Sequence, residues 1–285
     1  QQARANAYYH YALGTDFYRS WLDRVGMMDT CAYWKEGTTT LEEAQWNKME
    51  HVCRKIRLQP GEHVADIGCG WGGFMFHAHR YHGARCSGFN VTGEQLDSLQ
   101  RTIEQRGLGE VLSVTDSDFR EVPGGFDKCA SIGVLEHAGR DQLLETIRAM
   151  ADVLNPGGLG VLHFIGHVGQ RETEFYIRKH IFPGGWIPSL SHALSLMEEC
   201  GLEILDVENL RRHYALTLDA WAERFEAHQE EIRHIDPRRF DEYFYRKWRT
   251  YLYSCAEMFR SPNGRTCLFQ IIFSKGNVDY DYPMS

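Results

Sequence analysis

Through the first sixty residues the apolar positions recur with a helical period, which predicts helices over 8–22 and 40–56. In the second, Leu41, Ala44, Met49, Val52 and Ile56 share one face, and Thr40 with Glu43 three positions later forms a capping-box pattern. From residue 62 the rhythm changes to short apolar runs separated by helical stretches. Strands are predicted at 63–67, 85–90, 111–114, 128–134 and 159–165, with helices at 74–81, 92–106 and 140–154. Asn155-Pro156-Gly157-Gly158 reads as a turn. This alternation predicts a parallel sheet covered on both faces. The segment 167–200 breaks the alternation and is rich in aromatic and charged residues. It follows a strand end, where α/β folds place covers over their sites. A strand at 203–209, helices at 216–233 and 237–259, and a strand at 266–274 close the chain. The resulting division is a helical cap (1–60), an α/β core with C-terminal helices (61–166 and 201–285) and an inserted lid or substrate region (167–200).

Composition narrows the class. In 285 residues, 43% hydrophobic and 25% charged positions describe a globular chain, and the net charge of −8 argues against nucleic acid as a partner. The basic clusters at Arg211-Arg212-His213 and Arg238-Arg239 read as solvated rim. Eight cysteines stand singly, a spacing that suits neither a zinc site nor a disulfide scaffold, and no metal is expected. Most read as buried, reduced core residues, consistent with a reducing, cytoplasmic setting. No apolar run approaches bilayer length, and the amino terminus carries no signal-peptide pattern.

The run Val64-Ala65-Asp66-Ile67-Gly68-Cys69-Gly70-Trp71-Gly72-Gly73 joins a predicted strand to a predicted helix. Glycine there permits positive φ and lets a ligand approach the backbone. A dinucleotide fold would use the helix start to hold pyrophosphate. Here an acid, Asp66, stands just before the first glycine, better suited to an ammonium or to organising the loop. That combination fits S-adenosylmethionine, which carries an amino acid, a ribose and a sulfonium but no phosphate. The second strand ends at Gly88-Phe89-Asn90, without the acid that often takes the ribose hydroxyls. Thr92 and Gln95 are the polar groups available instead.

Several motifs, in order along nearly the whole chain, resemble the cyclopropane fatty acid synthase family, including the mycolic acid cyclopropane synthases. They include Tyr11-x-Leu13-Gly14-x-Asp16-Phe17-Tyr18, Cys31-Ala32-Tyr33-Trp34, Thr40-Leu41-Glu42-Glu43-Ala44-Gln45 and the glycine run. Further on come Ser131-Ile132-Gly133-x-x-Glu136-His137, Leu162-His163-x-Ile165, Ile181-Phe182-Pro183-Gly184-Gly185-x-x-Pro188-Ser189 and Cys255-Ala256-Glu257-Met258-Phe259-Arg260. The resemblance implies a class I methyltransferase (Rossmann-like) fold with a seven-stranded mixed sheet. It also implies methyl transfer from S-adenosylmethionine to the cis double bond of a lipid acyl chain. A transient membrane-surface contact and a homodimer are compatible with it. The rival outcome on the same fold is methyl branching of a lipid, or C- or N-methylation of a small molecule.

The resemblance also implies a bound bicarbonate as base, lined by Cys31, Glu136, His163, the backbone at Ile165 and Tyr214. Glu136 would accept a hydrogen from that ion or orient His163. Cys255 matches a cysteine sometimes assigned to the family's active site, although alkene methylation has no evident use for a thiolate. By base rate, Cys31 and Cys255 are small buried residues and His163 is a satisfied core histidine. The cofactor positions carried over are Asp66, Gly68, Gly70, Trp71, Gly72, Asn90, Thr92, Gln95, Ser117, Asp118 and Ile132. Trp71 reads as a wall between cofactor and acceptor. Asp29 and Thr30 join them, Asp29 standing where the family usually has tyrosine. Of the aromatics Tyr33, Trp34, Phe175, Tyr176, Trp186, Tyr245, Trp248 and Tyr251, most read as core and some as lining of an acyl tunnel.

Overall fold

A computed structural model of the chain describes residues 13–278, Gly184 excepted. The start of the first predicted helix and Tyr11 of the first motif lie outside the described residues, as does Gly184 of the Pro183-Gly184-Gly185 motif. Helix α1 spans Thr15–Trp21 and α2 spans Leu41–Lys55. The predicted capping box holds: Glu43 N–H donates to Thr40 Oγ1, and the Glu43 carboxylate accepts from Thr40 N–H.

Seven strands form one sheet: β1 His63–Ile67, β2 Arg85–Asn90, β3 Leu112–Asp116, β4 Phe126–Ile132, β5 Leu154–His167, β6 Leu202–Asn209 and β7 Thr266–Lys275. Their order is β3-β2-β1-β4-β5-β7-β6, with β7 antiparallel to both neighbours and the other pairs parallel. The central strands are buried on both faces, β7 along nearly its whole length, while β3 and β6 at the edges are mostly exposed or half-buried. The sheet reverses its winding between β1 and β4. Loops after those two strands therefore diverge and leave a crevice at their carboxyl ends.

Helices α3 (Gly73–His82), α4 (Gly93–Gln105), the single turn α5 (Leu135–Ala138) and α6 (Leu143–Val153) connect the first five strands. Strand β4 stops two residues short of the predicted end, and Glu136 rides on α5 rather than on a strand tip. Strand β5 begins at Leu154, so residues 155–158 belong to an irregular strand start, with the pairing slipped opposite Phe126 and Lys128.

The segment 167–200 divides in two. Residues 168–188 cross the carboxyl edge, with one π-helical turn at Ile177–Ile181. Helix α7 (Leu190–Glu199) instead buries Ala193 and Met197 in a core shared with α6 and the sheet. The cover is thus shorter than the sequence reading drew it. The larger insertion lies between β6 and β7, as α8 (Arg211–Ala227), α9 (Gln229–Ile235) and α10 (Glu242–Arg260). Helix α8 starts five residues before its predicted start, and α10 starts five residues after, capped by Asp241. With α1 these helices bury an aromatic cluster around Phe17, Trp21, Trp221, Phe244 and Trp248. No helix among the described residues is long and apolar enough to cross a membrane.

Candidate active site

Two cavities meet at the crevice. One, about 1060 Å³ with its open solvent, lies over the turn after β1. The other, about 900 Å³, lies between β5, the 168–188 cover and helices α8 and α10. Asp29, Thr30, Gly133 and His137 line both and form their shared wall.

The first cavity is lined by Asp29, Thr30, Asp66, Gly68, Gly70, Trp71, Asn90, Thr92, Gln95, Ser117, Asp118 and Ile132. Gly72 is not among its lining residues. At Gly72 φ is 80°, and a Cβ would stand 2.4 Å from Leu99 Cδ1, so this glycine serves the packing of α3 against α4. Gly68, at φ 77°, faces the same limit from Val134 Cγ2, 2.2 Å from where a Cβ would lie. Trp71 lines this cavity and not the second, and its indole N–H donates to Thr15 Oγ1 at 3.2 Å. It is therefore not the wall between the two; the 29–30 loop and Gly133 are.

Burial pushes the Asp66 carboxyl up to about 7, against the pull of Lys48. Lys48 itself is buried, and desolvation brings its ammonium down to about 8 despite Asp23, Cys31, Asp66 and Asp29. It donates to Thr30 Oγ1 at 2.7 Å, while Gln45 Nε2 donates to the carbonyls of Met28 at 3.2 Å and Thr30 at 2.8 Å. Helix α2 thus holds the 27–30 loop beneath the cleft. Neither Gln45 nor Lys48 was singled out from the sequence. The available signal was their spacing: 41, 45, 48 and 52 fall on one helical face, so the lysine sits on the apolar side. Where an acid was missing at the end of β2, Asn90 Nδ2 donates to Gln95 Oε1 at 2.9 Å, a buried amide pair. Asp118 is answered by Arg120, whose Nε and Nη2 donate at 2.7 and 2.8 Å and hold the carboxyl below its ordinary range.

The second cavity brings together Cys31, Glu136, His163, Ile165, Tyr214 and Cys255. Ile165 N–H donates to Glu136 Oε1 at 2.6 Å, so that amide already has an acceptor. Glu136 does not orient His163. The partner of His163 Nδ1 is Gln270 Nε2, 3.3 Å away and directly across the β5–β7 ladder. The Cys31 thiol donates to Ala32 O at 3.2 Å, and burial pushes it and the Cys255 thiol up, the latter to about 12. Both are neutral thiols, which sets aside a thiolate role for either.

Burial raises the Glu136 carboxyl to about 7 and lowers His163 to about 3, so the imidazole is neutral. Gln270 Nε2 as the donor to Nδ1 corresponds to the tautomer that carries the ring proton on Nε2. Glu136 Oε2 and His163 Nε2 are buried without a partner among the described residues. Most of the remaining lining is apolar and aromatic, including Ile177, Phe182, Trp186, Leu218, Tyr251, Met258 and Phe259, with Asp29, Thr30, His137, Thr173 and Thr266 as its other polar members. Tyr214 lies against Phe259, ring centroids 4.6 Å apart.

Of the eight aromatics considered from the sequence, Trp186 and Tyr251 line this cavity. Tyr33 is stacked between His51 and His213, and Trp34 donates from Nε1 to Thr217. Trp248 is core, Tyr245 stacks on Phe225, Tyr176 donates to Lys247 O at 2.9 Å, and Phe175 is 65% exposed. On the wall contributed by α8 and α10 the sequence reading named Tyr214, Tyr251 and Cys255, and did not place Leu218, Met258 or Phe259 there.

A family model described as mycolic acid cyclopropane synthetase matches residues 1–271. A probable fatty acid methyltransferase of Pseudomonas putida is 37% identical over 286 aligned residues, 96% of this chain and 71% of its own length. The cyclopropane-fatty-acyl-phospholipid synthase of Escherichia coli K12 is 35% identical over 272 residues, 94% of this chain and 67% of that one. The crystal structure of the mycolic acid cyclopropane synthase CmaA1, complexed with SAH and CTAB, is similar at TM-score 0.87 and 28% identity. It covers 95% of this chain and 98% of CmaA1.

Proposed function

The chain belongs to the mycolic acid cyclopropane synthetase family of S-adenosylmethionine-dependent methyltransferases, and from that premise we propose that it converts the cis double bond of an unsaturated lipid acyl chain into a cyclopropane. The observation that carries this reading is the second cavity. It is apolar over most of its lining, adjoins the cleft at the glycine turn, and holds Glu136 Oε2 and His163 Nε2, buried and without a hydrogen-bond partner among the described residues.

When bound, S-adenosylmethionine supplies an electrophilic methyl group, and a bicarbonate ion supplies a base. Asp29, Asp66 and the Asn90–Gln95 pair offer acceptors and donors for the ammonium and ribose of the donor. An alkene is its own nucleophile, so no residue has to deprotonate it before attack. Methylation leaves a carbocation, and the apolar walls keep water from trapping it. The ring faces of Tyr214, Tyr251, Phe182 and Phe259 offer electron density to that charge. Closing the ring then requires loss of a proton to a base held nearby.

The unpartnered atoms suit bicarbonate, which can both donate and accept. His163 Nε2–H can donate to the ion, and Glu136 Oε2 accepts from its hydroxyl when ionised or donates to one of its other oxygens when protonated. A carboxyl raised to about 7 can keep its own proton beside an anion, which avoids two bare negative charges side by side. Tyr214 adds a phenol donor on the same wall.

Incubation with isotopically labelled S-adenosylmethionine and an unsaturated phospholipid tests the reading by mass analysis of the acyl chains. The expected product gains one CH2 and has lost its double bond. A methyl-branched product that keeps a double bond would leave the donor reading standing and overturn ring closure.

A further inference from the structure

Away from both cavities, α2 and α3 pack together with an unusual group of side chains between them. Cys53 Sγ and one ring nitrogen each from His77 and His82 lie within 4.8 Å of one another. Glu50, one turn before Cys53 on α2, places Oε2 3.3 Å from His77 Nε2 and 3.0 Å from His82 Nε2. Cys53 is fully buried and the His77 side chain is 2% exposed. His77 Nδ1 is buried without a hydrogen-bond partner among the described residues. None of the four lines either cavity.

We propose that Cys53, His77 and His82 bind a zinc ion that clamps α2 to α3, with Glu50 as the carboxylate that orients and neutralises the site. The donor set selects the metal class. A thiolate and two imidazoles suit a borderline ion such as Zn2+, whereas Mg2+ and Ca2+ take oxygen ligands. The Cys53 thiolate and the Glu50 carboxylate bring two negative charges to the dication, the second shared with Arg54, whose Nε donates to Glu50 Oε1 at 2.5 Å. In a tetrahedral zinc site neighbouring donor atoms stand about 3.3–3.6 Å apart. The most widely spaced pair need contract by at most roughly 1.2–1.5 Å. Binding forms one S–Zn and two N–Zn bonds and releases the thiol proton to solvent, with no change of oxidation state.

The group is largely buried, with His82 at its partly exposed edge, and lies outside both cavities, so its role is structural. Helix α3 begins directly after the glycine turn, and a clamp on it steadies the floor of the donor cleft. Scattered single cysteines predict no zinc site because the usual signal is a close pair in sequence. Here two helices supply the ligands, and only the fold brings them together.

The test takes the purified chain, strips it with EDTA and titrates it with Zn2+ and then Co2+. One Zn2+ per chain is expected, with a raised unfolding temperature. Co2+ is expected to give tetrahedral d–d absorption and a thiolate charge-transfer band that Cys53→Ala removes. His82→Asn, at the partly exposed edge of the group, should unfold cooperatively and bind Zn2+ at least about 100-fold more weakly. Absence of Zn2+ binding by the wild-type chain, or unchanged affinity in His82→Asn, overturns the proposal. If Cys53→Ala fails to fold, His82→Asn decides alone.

Discussion

Glu136 shows how one residue's surroundings fix its chemistry. It is the carboxyl on a single helical turn after β4, tied to the Ile165 amide and otherwise desolvated. Replacing it with Gln preserves the acceptor for that amide and removes the titrating group. Turnover of Glu136→Gln is expected to fall at least about 100-fold while S-adenosylhomocysteine affinity, read by titration calorimetry, stays within a few-fold. The same substitution has a signature in ligand-free stability. Because the folded pKa is raised from 4.5 to about 7, the folded state holds a proton that the unfolded state releases above about 4.5. The stability due to neutral Glu136 is therefore complete below pH 4.5 and is lost as pH rises through 7. Glu136→Gln should gain on the wild type by up to about 3 kcal/mol between pH 4.5 and pH 8, read from paired denaturation curves. Equal pH dependence in both proteins would mean that the carboxyl is not desolvated as described.

At the scale of elements, periodicity carried most of the information. Strands β1 and β2 fall on their predicted bounds because each is a short apolar run closed by glycine or a helix start. The 40–56 helix was legible from its cap as well as its face. Thr40→Ala, which removes the acceptor for Glu43 N–H, is expected to cost about 1 kcal/mol, seen as a lower urea midpoint with unchanged slope. Helix α7 was the element most misjudged. Its apolar positions belong to the sheet, but the aromatic and charged run ahead of it masked the change of role at Ser189. The amphipathic period of α8 and α10 marked them as helices and could not say which residues turn toward a cavity rather than a core.

At the scale of the molecule, the site residues predicted through family resemblance fall into two adjacent cavities, one for each half of the set. Gly72 alone lies outside them. What the sequence could not disclose were links between distant segments: Gln270 across the ladder from His163, Lys48 beneath the 27–30 loop, and the Ile165 amide already engaged by Glu136. Each depends on sheet register or helix facing, which one strand or helix does not encode by itself. The aromatic cluster behind the second cavity is the largest such link. Phe17 stacks on Phe240 at 5.1 Å and meets Phe244 and Trp248 edge-on. Phe17→Ala is expected to destabilise the chain by about 3–5 kcal/mol, measured by chemical denaturation. That cluster also has a history in every molecule that is synthesised. Helix α1 leaves the ribosome with Phe17, Tyr18 and Trp21, but their partners on α8 to α10 come about two hundred residues later; the same span is bridged by Arg224, which donates to Leu22 O across 202 positions. At roughly 5–20 residues per second, the nascent chain carries these aromatics without their α8 to α10 partners for about ten to forty seconds. The side of the second cavity built by α8 and α10 is therefore synthesised long after α1, which makes α1 a segment for a chaperone to guard.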